Sequence, residues 1–361
     1  MATPRIEINL EKIAHNSKVL SALYGSKNIS ICAVTKAVCS DLSIVETLLS
    51  SGITMIADSK IANLKKLQED GIKATFLLIG TPKFSQVTEI IKWADISNNS
   101  ELVVIKELGR QACLQGLTHQ IILMVEMGDL REGIMPASLN DVISEVILIE
   151  GIELVGLGTN LACLSGVRPD KRKMDSLSKL ARDIEQKFQL SFHYVSGGNS
   201  ANYEWFNKVN NVGRINHLRI GESIFLGVDP VNRHPIPDLF TDIFRLVTEV
   251  TELKTKPSIP FGKKGQSTFG HVEHTLEKGK IPRAILGIGR QDIDVSGLTP
   301  NLDIEIFASG SDHMIVDPKK NLLHVGDEIT FSLNYAALMS AMTSPYVEKT
   351  TVPNYEYQGI L

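Results

Sequence analysis

Short apolar runs rich in β-branched residues alternate with amphipathic stretches through the first two-thirds of the chain. That alternation restricts the fold to repeated βα units around a parallel sheet. Eight strands are predicted, at residues 29–36, 54–59, 74–80, 94–99, 120–128, 153–160, 192–199 and 217–227. Between them, residues 42–51, 61–69, 84–93, 101–114, 139–148 and 171–188 carry apolar side chains at i, i+3 and i+4, the period of a helix that buries one stripe. The strands are nearly continuously hydrophobic, as strands covered on both faces must be. The count predicts an α/β fold, a (β/α)8 TIM-type barrel, with a doubly wound open sheet as the alternative.

Each run turns polar or glycine-rich at its carboxyl end: Lys36, Asp58-Ser59, Gly80, Asn98-Asn99, Glu126, Thr159-Asn160, Gly197-Gly198-Asn199 and Gly221-Glu222. Barrel enzymes place their chemistry at that face, so these positions form one candidate ring. Beyond about residue 230 the pattern changes to short strands separated by Gly, Pro and Asp-Pro turns, including 283–289, 303–308, 313–316 and 328–333. This predicts a C-terminal, mostly antiparallel β domain. The expected division is a barrel over residues 9–228 and a β domain over 229–361, joined by an N-terminal strand within 1–8.

Composition narrows the partners. A formal charge of −4, with Lys and Arg scattered, offers no basic field for nucleic acid. No apolar run is long enough to span a bilayer, and the amino-terminal stretch lacks the basic and apolar segments of a secretion signal, so the expected location is the cytoplasm. The four cysteines, Cys32, Cys39, Cys113 and Cys163, lack CxxC spacing and are read as reduced thiols. No His/Cys pair suited to zinc is visible, and no metal is expected.

Lys36 follows Ile-Cys-Ala-Val-Thr and precedes Ala-Val-Cys, an apolar setting in which a lysine amine can serve as the nucleophile of imine formation. A solvated lysine ending a strand is the plainer account. Val195-Ser-Gly-Gly-Asn-Ser-Ala-Asn202 leaves a strand for a helix, and its free amides and hydroxyl suit a phosphate, or simply a tight turn. Leu218-Arg-Ile-Gly-Glu222 sets the fixed cation Arg219 beside Gly221, which permits close backbone approach. Glu126-Met-Gly-Asp-Leu-Arg131 brings Arg131, suited to bidentate capture of a carboxylate or to surface ion pairing.

In order along the chain, these segments resemble the alanine racemase family of fold type III pyridoxal-phosphate enzymes. Val34-Thr-Lys-Ala37 resembles the cofactor-lysine motif, Gly156-Leu-Gly-Thr-Asn160 the strand beside the pyridine ring, and Asn199-Ser-Ala201 with Leu218-Arg-Ile-Gly221 the phosphate and pyridine-nitrogen motifs. Ser311-Asp-His-Met-Ile-Val-Asp317 and Asn334-Tyr-Ala-Ala-Leu338 resemble segments of the C-terminal domain. Gly128-Asp-Leu-Arg-Glu-Gly133, Ile288-Gly-Arg-Gln-Asp-Ile-Asp294 and Ala341-Met-Thr-Ser-Pro-Tyr-Val347 bring the chain nearer the ornithine racemase branch.

The resemblance implies a racemase that interconverts L and D amino acids by removing and restoring the Cα proton, on a basic amino acid such as ornithine. It implies pyridoxal 5'-phosphate held as a Schiff base on Lys36, with Asn160 and Asn199 near the cofactor and Ser200, Gly221 and Tyr335 on its phosphate. Arg219 would face the pyridine nitrogen and Arg131 would orient the substrate or a neighbouring hydroxyl. A homodimer is implied, the β domain of one subunit completing the site of the other. At the barrel mouth the acidic residues Glu126, Asp129 and Glu222 suit a substrate side-chain ammonium or, equally, a structural salt bridge.

Two departures from the family pattern stand out. Cys39 and Ser40 fall near the position of a phosphate-binding tyrosine, and Ser267-Thr-Phe-Gly270 places Phe269 where the family has its second catalytic base, a tyrosine. Phe269 cannot carry a proton. His271, His274, Asp312 and His313 are the substitutes considered, with Asp312 and His313 foremost. A D-amino-acid lyase of the same fold type and a non-catalytic cofactor carrier are the alternatives; carriers generally lack a β domain, which this chain is long enough to contain.

Overall fold

A strand Arg5–Ile8 (β1) and a helix Leu10–Gly25 (α1) precede eight strands that close on one another. They are β2 (Ser30–Val34), β3 (Met55–Asp58), β4 (Thr75–Leu78), β5 (Ile96–Asn99), β6 (His119–Met124), β7 (Ile152–Gly158), β8 (Tyr194–Asn199) and β9 (His217–Ile220). The computed structural model describes residues 2–263, 265–266 and 277–353. Its chain divides into two units, Leu10–Thr241 and a second formed by Met1–Asn9 with Asp242–Leu361.

All eight barrel pairings are parallel, and the ring closes where β2 meets β9, with Ser30 opposite His217 and Ala33 opposite Ile220. Inward-facing Val34, Ala57, Leu77, Ile96, Ile122 and Val155 pack into one cluster. Burial of each large aliphatic side chain there contributes about 1.5–3 kcal/mol. Helices cover the outside by their apolar stripes: Lys171–Phe188, for instance, buries Met174, Leu177, Ala181 and Ile184. Asp170 caps that helix by accepting from Lys173 N at 2.8 Å.

Expected and observed elements differ at their ends. Residues 217–227, read as one strand, are strand only to Ile220; after Gly221 the run Glu222–Leu226 is a short helix with Ile224, Phe225 and Leu226 buried. A fully buried apolar run has no period that separates strand from helix. Similarly, β6 stops at Met124 because Val125 bridges to Ile134 and the chain then turns at Gly128, whose φ is +118°.

Among the described residues, the second unit is an eight-stranded sheet. Its backbone is the 14-residue strand Phe244–Pro257 (β10), which pairs antiparallel with β1, with β11 (Lys280–Leu286) and with Glu328–Leu333. Strand Met314–Asp317 pairs with both β11 and Glu305–Ser309. The helix Tyr335–Thr343, capped by Asn334, is an element the turn-rich sequence did not suggest. Arg5, 5 % exposed, ties the sheet together by binding Glu7 Oε1 at 2.7 Å and Glu328 Oε1 at 2.7 Å, while Arg245 holds the other Glu7 oxygen at 2.6 Å.

Within the barrel, β7 and β8 approach so closely at Gly156 that an added Cβ would lie 2.2 Å from the Tyr194 carbonyl oxygen. A Gly156→Ala variant is therefore expected to lose about 1–3 kcal/mol or more of unfolding free energy in urea. Gly25→Ala, whose Cβ would meet nothing within 4 Å, should stay within about 0.5 kcal/mol of the parent.

Candidate active site

Strand order decides which of the sequence's polar strand ends become neighbours. Because β7, β8, β9 and β2 are consecutive around the ring, Asn160, Asn199, Arg219 with Gly221, and Lys36 share one sector of the carboxyl-end mouth. Gly221 lies tight against β2: a Cβ there would stand 2.8 Å from the Val34 carbonyl oxygen. Lys36 begins a single 3-10 turn, Lys36–Val38, and is partly exposed between buried Thr35 and Ala37.

Asn199 ends β8 and caps the turn Ser200–Asn202, its oxygen accepting from Ala201 N at 2.8 Å. Its amide nitrogen donates to the Leu161 carbonyl at 2.9 Å and faces Asn160 at 2.9 Å. The Asn160 amide stands between this donor and the Arg131 guanidinium; turned toward Arg131, its oxygen accepts from Nη1 at 2.8 Å. The Ser200 hydroxyl is buried and accepts from Gly221 N at 3.3 Å and Ser223 N at 3.2 Å, which seats the 199–202 turn on the end of β9.

Arg219 is 4 % exposed and pairs with no carboxylate among the described residues. It donates to the Ser196 hydroxyl and, at 2.7 Å, to the Thr159 carbonyl. Burial lowers its pKa to about 10, so at neutral pH it remains a cation held by neutral acceptors, with donors to spare for a further one. His217, two residues earlier and hence on the same strand face, places Nδ1 3.0 Å from the same Ser196 oxygen. Burial, and then the charge of Arg219, push His217 down to about 3 and keep it neutral. The Ser196 hydroxyl thus accepts from Arg219 and lies within hydrogen-bond distance of His217 Nδ1, a link between the two side chains. Neither Ser196 nor His217 figured among the residues expected here, although the i, i+2 spacing of His217 and Arg219 is legible.

The acidic residues of the mouth divide by what already holds them. Asp129 is fully buried and accepts four backbone N–H groups of the loop after β7, from Cys163 (3.2 Å), Leu164 (2.9 Å), Ser165 (3.2 Å) and Val167 (3.3 Å). Burial opposes its ionisation, yet those hydrogen bonds outweigh it and hold the carboxyl below its ordinary value. With four backbone amides on its carboxylate, Asp129 is a clasp for the loop after β7. Glu126 likewise accepts from Gly128 N at 2.5 Å and Arg131 N at 3.1 Å. Arg131 is engaged by Glu132 through Nε and Nη2. Glu222 pairs with exposed Arg233; burial raises its pKa, against the pull of Arg233 and of the nearby Lys36 charge.

Three expected site residues belong to the second unit. Tyr335 opens its helix, and Asp312 and His313 lie on the exposed turn between Glu305–Ser309 and Met314–Asp317, with His313 Nδ1 2.8 Å from Asp312 Oδ1. That turn rests on Gly289, where a Cβ would fall 2.5 Å from the amides of Asp312 and His313. Phe269, His271 and His274 lie outside the described residues. Among the described residues no cluster of three or more His, Cys, Asp or Glu could hold a metal, and no helix is long and apolar enough to cross a membrane.

Comparison with known proteins agrees with this geometry. Residues 8–229 match the family of the alanine racemase N-terminal domain. The chain is 38 % identical to an ornithine racemase of Acetoanaerobium sticklandii, over 96 % of this chain and 99 % of that one. It is 35 % identical to a lysine racemase of Thermotoga maritima, over 98 % and 100 %. Among solved structures, an alanine racemase of Clostridium difficile 630 superposes with a TM-score of 0.76 at 20 % identity, covering 99 % of this chain and 97 % of that one, a likeness of fold.

Two outcomes follow from the buried groups. Since His217 titrates at 6.5 when unfolded and near 3 when folded, the unfolded state binds more protons between those values. Stability is then full above 6.5 and falls as pH drops toward 3, so the urea midpoint should decline from neutral pH to about pH 5, and less steeply in His217→Gln. Asp129→Asn should raise amide hydrogen exchange at Cys163, Leu164, Ser165 and Val167; in the parent that protection holds above the ordinary carboxylate value of 3.8 and weakens as pH falls below it.

Proposed function

The chain belongs to the alanine racemase family, and on that premise we propose that it interconverts the L and D forms of a basic amino acid, ornithine or lysine, with pyridoxal 5'-phosphate as cofactor. The observation that carries the reading is Arg219, a buried cation with no carboxylate partner among the described residues, at the mouth sector that also holds Lys36. A donor-only group in that position suits an acceptor such as a pyridine nitrogen. The full-length likeness to ornithine and lysine racemases supports the substrate class.

Lys36 would hold the cofactor through its amine, Ser200, Gly221 and Tyr335 its phosphate, and Asn160 and Asn199 would border its ring. When bound, the cofactor draws electrons from the Cα–H bond of the amino acid and makes that proton removable. Lys36 would then take or return the proton on one face of Cα. Arg219 does not surrender its proton at neutral pH, so beside the ring nitrogen it would supply a donor and no transferable proton, which would favour prompt return of the proton to Cα. Arg131, steadied by Glu132, would orient the substrate.

The second face needs its own proton carrier. Asp312 and His313 are proposed for that role: with Nδ1 2.8 Å from Asp312 Oδ1, the His313 ring keeps Nε2 for proton transfer. In this reading the pair comes from the β unit of a second copy, making a homodimer the working form. The four free cysteines support a reducing compartment, the cytoplasm.

Holoenzyme given either enantiomer of ornithine or lysine should yield both by chiral chromatography; unchanged enantiomers would refute the proposal. Lys36→Ala should slow racemisation by at least about 100-fold. His313→Gln should abolish racemisation yet retain solvent-deuterium exchange at Cα of the one enantiomer whose proton faces Lys36. Mixing and refolding Lys36→Ala with His313→Gln should restore activity if the sites are shared between subunits.

A further inference from the structure

Behind Lys36 stands a buried carboxylate with no part in the scheme above. Asp58, the last residue of β3, is 0 % exposed, and its hydrogen-bond partners among the described residues are neutral groups. Oδ1 accepts from Lys60 N at 2.8 Å; Oδ2 accepts from Asn63 Nδ2 at 3.0 Å and from Ser40 Oγ at 2.8 Å. Burial raises its pKa, and the hydrogen bonds from Asn63, Lys60 and Ser40 offset this only in part. A polar group so placed calls for an explanation beyond packing, since apolar residues fill a barrel wall at lower cost.

The network leads to the cofactor lysine. Ser40 gives its one proton to Asp58, and the Thr35 hydroxyl, 2.8 Å from Ser40 Oγ, also reaches the Ala57 carbonyl at 3.2 Å and Asp58 Oδ2 at 3.5 Å. Thr35 and Ser40 are the two ends of the turn from which Lys36 projects: Ser40 N donates to the Thr35 carbonyl at 3.2 Å, and Thr35 N is anchored on the Ala57 carbonyl at 2.8 Å. Within that turn Cys39 and Ser40 both adopt positive φ, 51° and 47°, which side-chain-bearing residues avoid unless surroundings impose it.

We propose that Asp58, acting through Ser40 and Thr35, is a positioning residue that fixes the turn carrying Lys36 and so aims its amine at the aldehyde carbon of pyridoxal 5'-phosphate. The inference rests on the reading of Lys36 as the cofactor lysine. In that condensation one C=N bond forms and the aldehyde oxygen leaves as water, so the amine must meet the carbon in a narrow range of approach.

Ser40→Gly separates positioning from mere support. Glycine adopts positive φ freely, so the substitution relaxes the backbone while removing the hydroxyl link. A purely structural network predicts a melting temperature moved by the variants and a lysine that reacts as before. Positioning predicts that Ser40→Gly and Asp58→Asn each slow borohydride trapping of pyridoxal 5'-phosphate onto Lys36, read by mass spectrometry of the full chain, by about 10- to 100-fold. Racemase kcat should fall by a similar factor with KM for ornithine nearly unchanged, and the double variant should be no worse than the worse single one. Trapping at the parental rate in folded Ser40→Gly overturns the proposal, and that variant decides alone if Asp58→Asn does not fold. A parent chain that traps no cofactor at Lys36 removes the premise instead, and the proposal with it.

Discussion

The pairing of β2 with β9, from Ser30 opposite His217 to Ala33 opposite Ile220, joins the first barrel strand to the last. Parallel strands expose a row of unsatisfied amides at any open edge, and closure removes both edges at once. It also brings residues nearly two hundred positions apart in sequence to one seam. Lys36 leaves one side of that seam and Gly221 the other, with room for no Cβ at Gly221 against the Val34 carbonyl. The remaining members of the sector, Asn199 with Ser200 and then Asn160, follow from the next two strand pairings.

Around that sector the barrel buries charge without opposite charge. Arg219 rests on a hydroxyl and a carbonyl, Asp58 on a hydroxyl, an amide side chain and a backbone amide, and Asp129 on four backbone amides. Hydrogen bonds to charged groups are stronger than neutral ones but do not repay full desolvation. The arrangement keeps each group in one place and, for Arg219, in one protonation state. Asp129 and Asp58 spend their capacity on backbone loops and turns, which makes them anchors of the mouth. Glu222, paired with the exposed Arg233 and felt by Lys36, is a mouth carboxylate that faces a charge it can exchange.

Much of this was legible beforehand. The strand ends Lys36, Asn160, Asn199 and Gly221 could be named from polarity at the close of apolar runs, because a barrel strand must be apolar until it reaches the face where side chains meet solvent. Less legible were Ser196 and His217, which look like ordinary strand residues until Arg219 is seen to need a neutral acceptor between them. The fate of Asp129 was hidden as well: its partners are backbone amides more than thirty residues away, and backbone amides leave no mark on a sequence. Strand 217–227 was overextended because an apolar run buried on every side carries no period, and only the close approach at Gly221 ends it.

The order of βα units, the antiparallel second unit and the presence of an amine, a fixed cation and a phosphate-suited turn at strand ends were determined by the sequence itself. They are local properties, written in period and residue type. Which of those ends become neighbours was decided by ring closure and register, and which acidic groups remain free was decided by long-range hydrogen bonds to backbone. Both depend on contacts between distant segments, and a linear pattern carries no information about distance in space until the chain has closed.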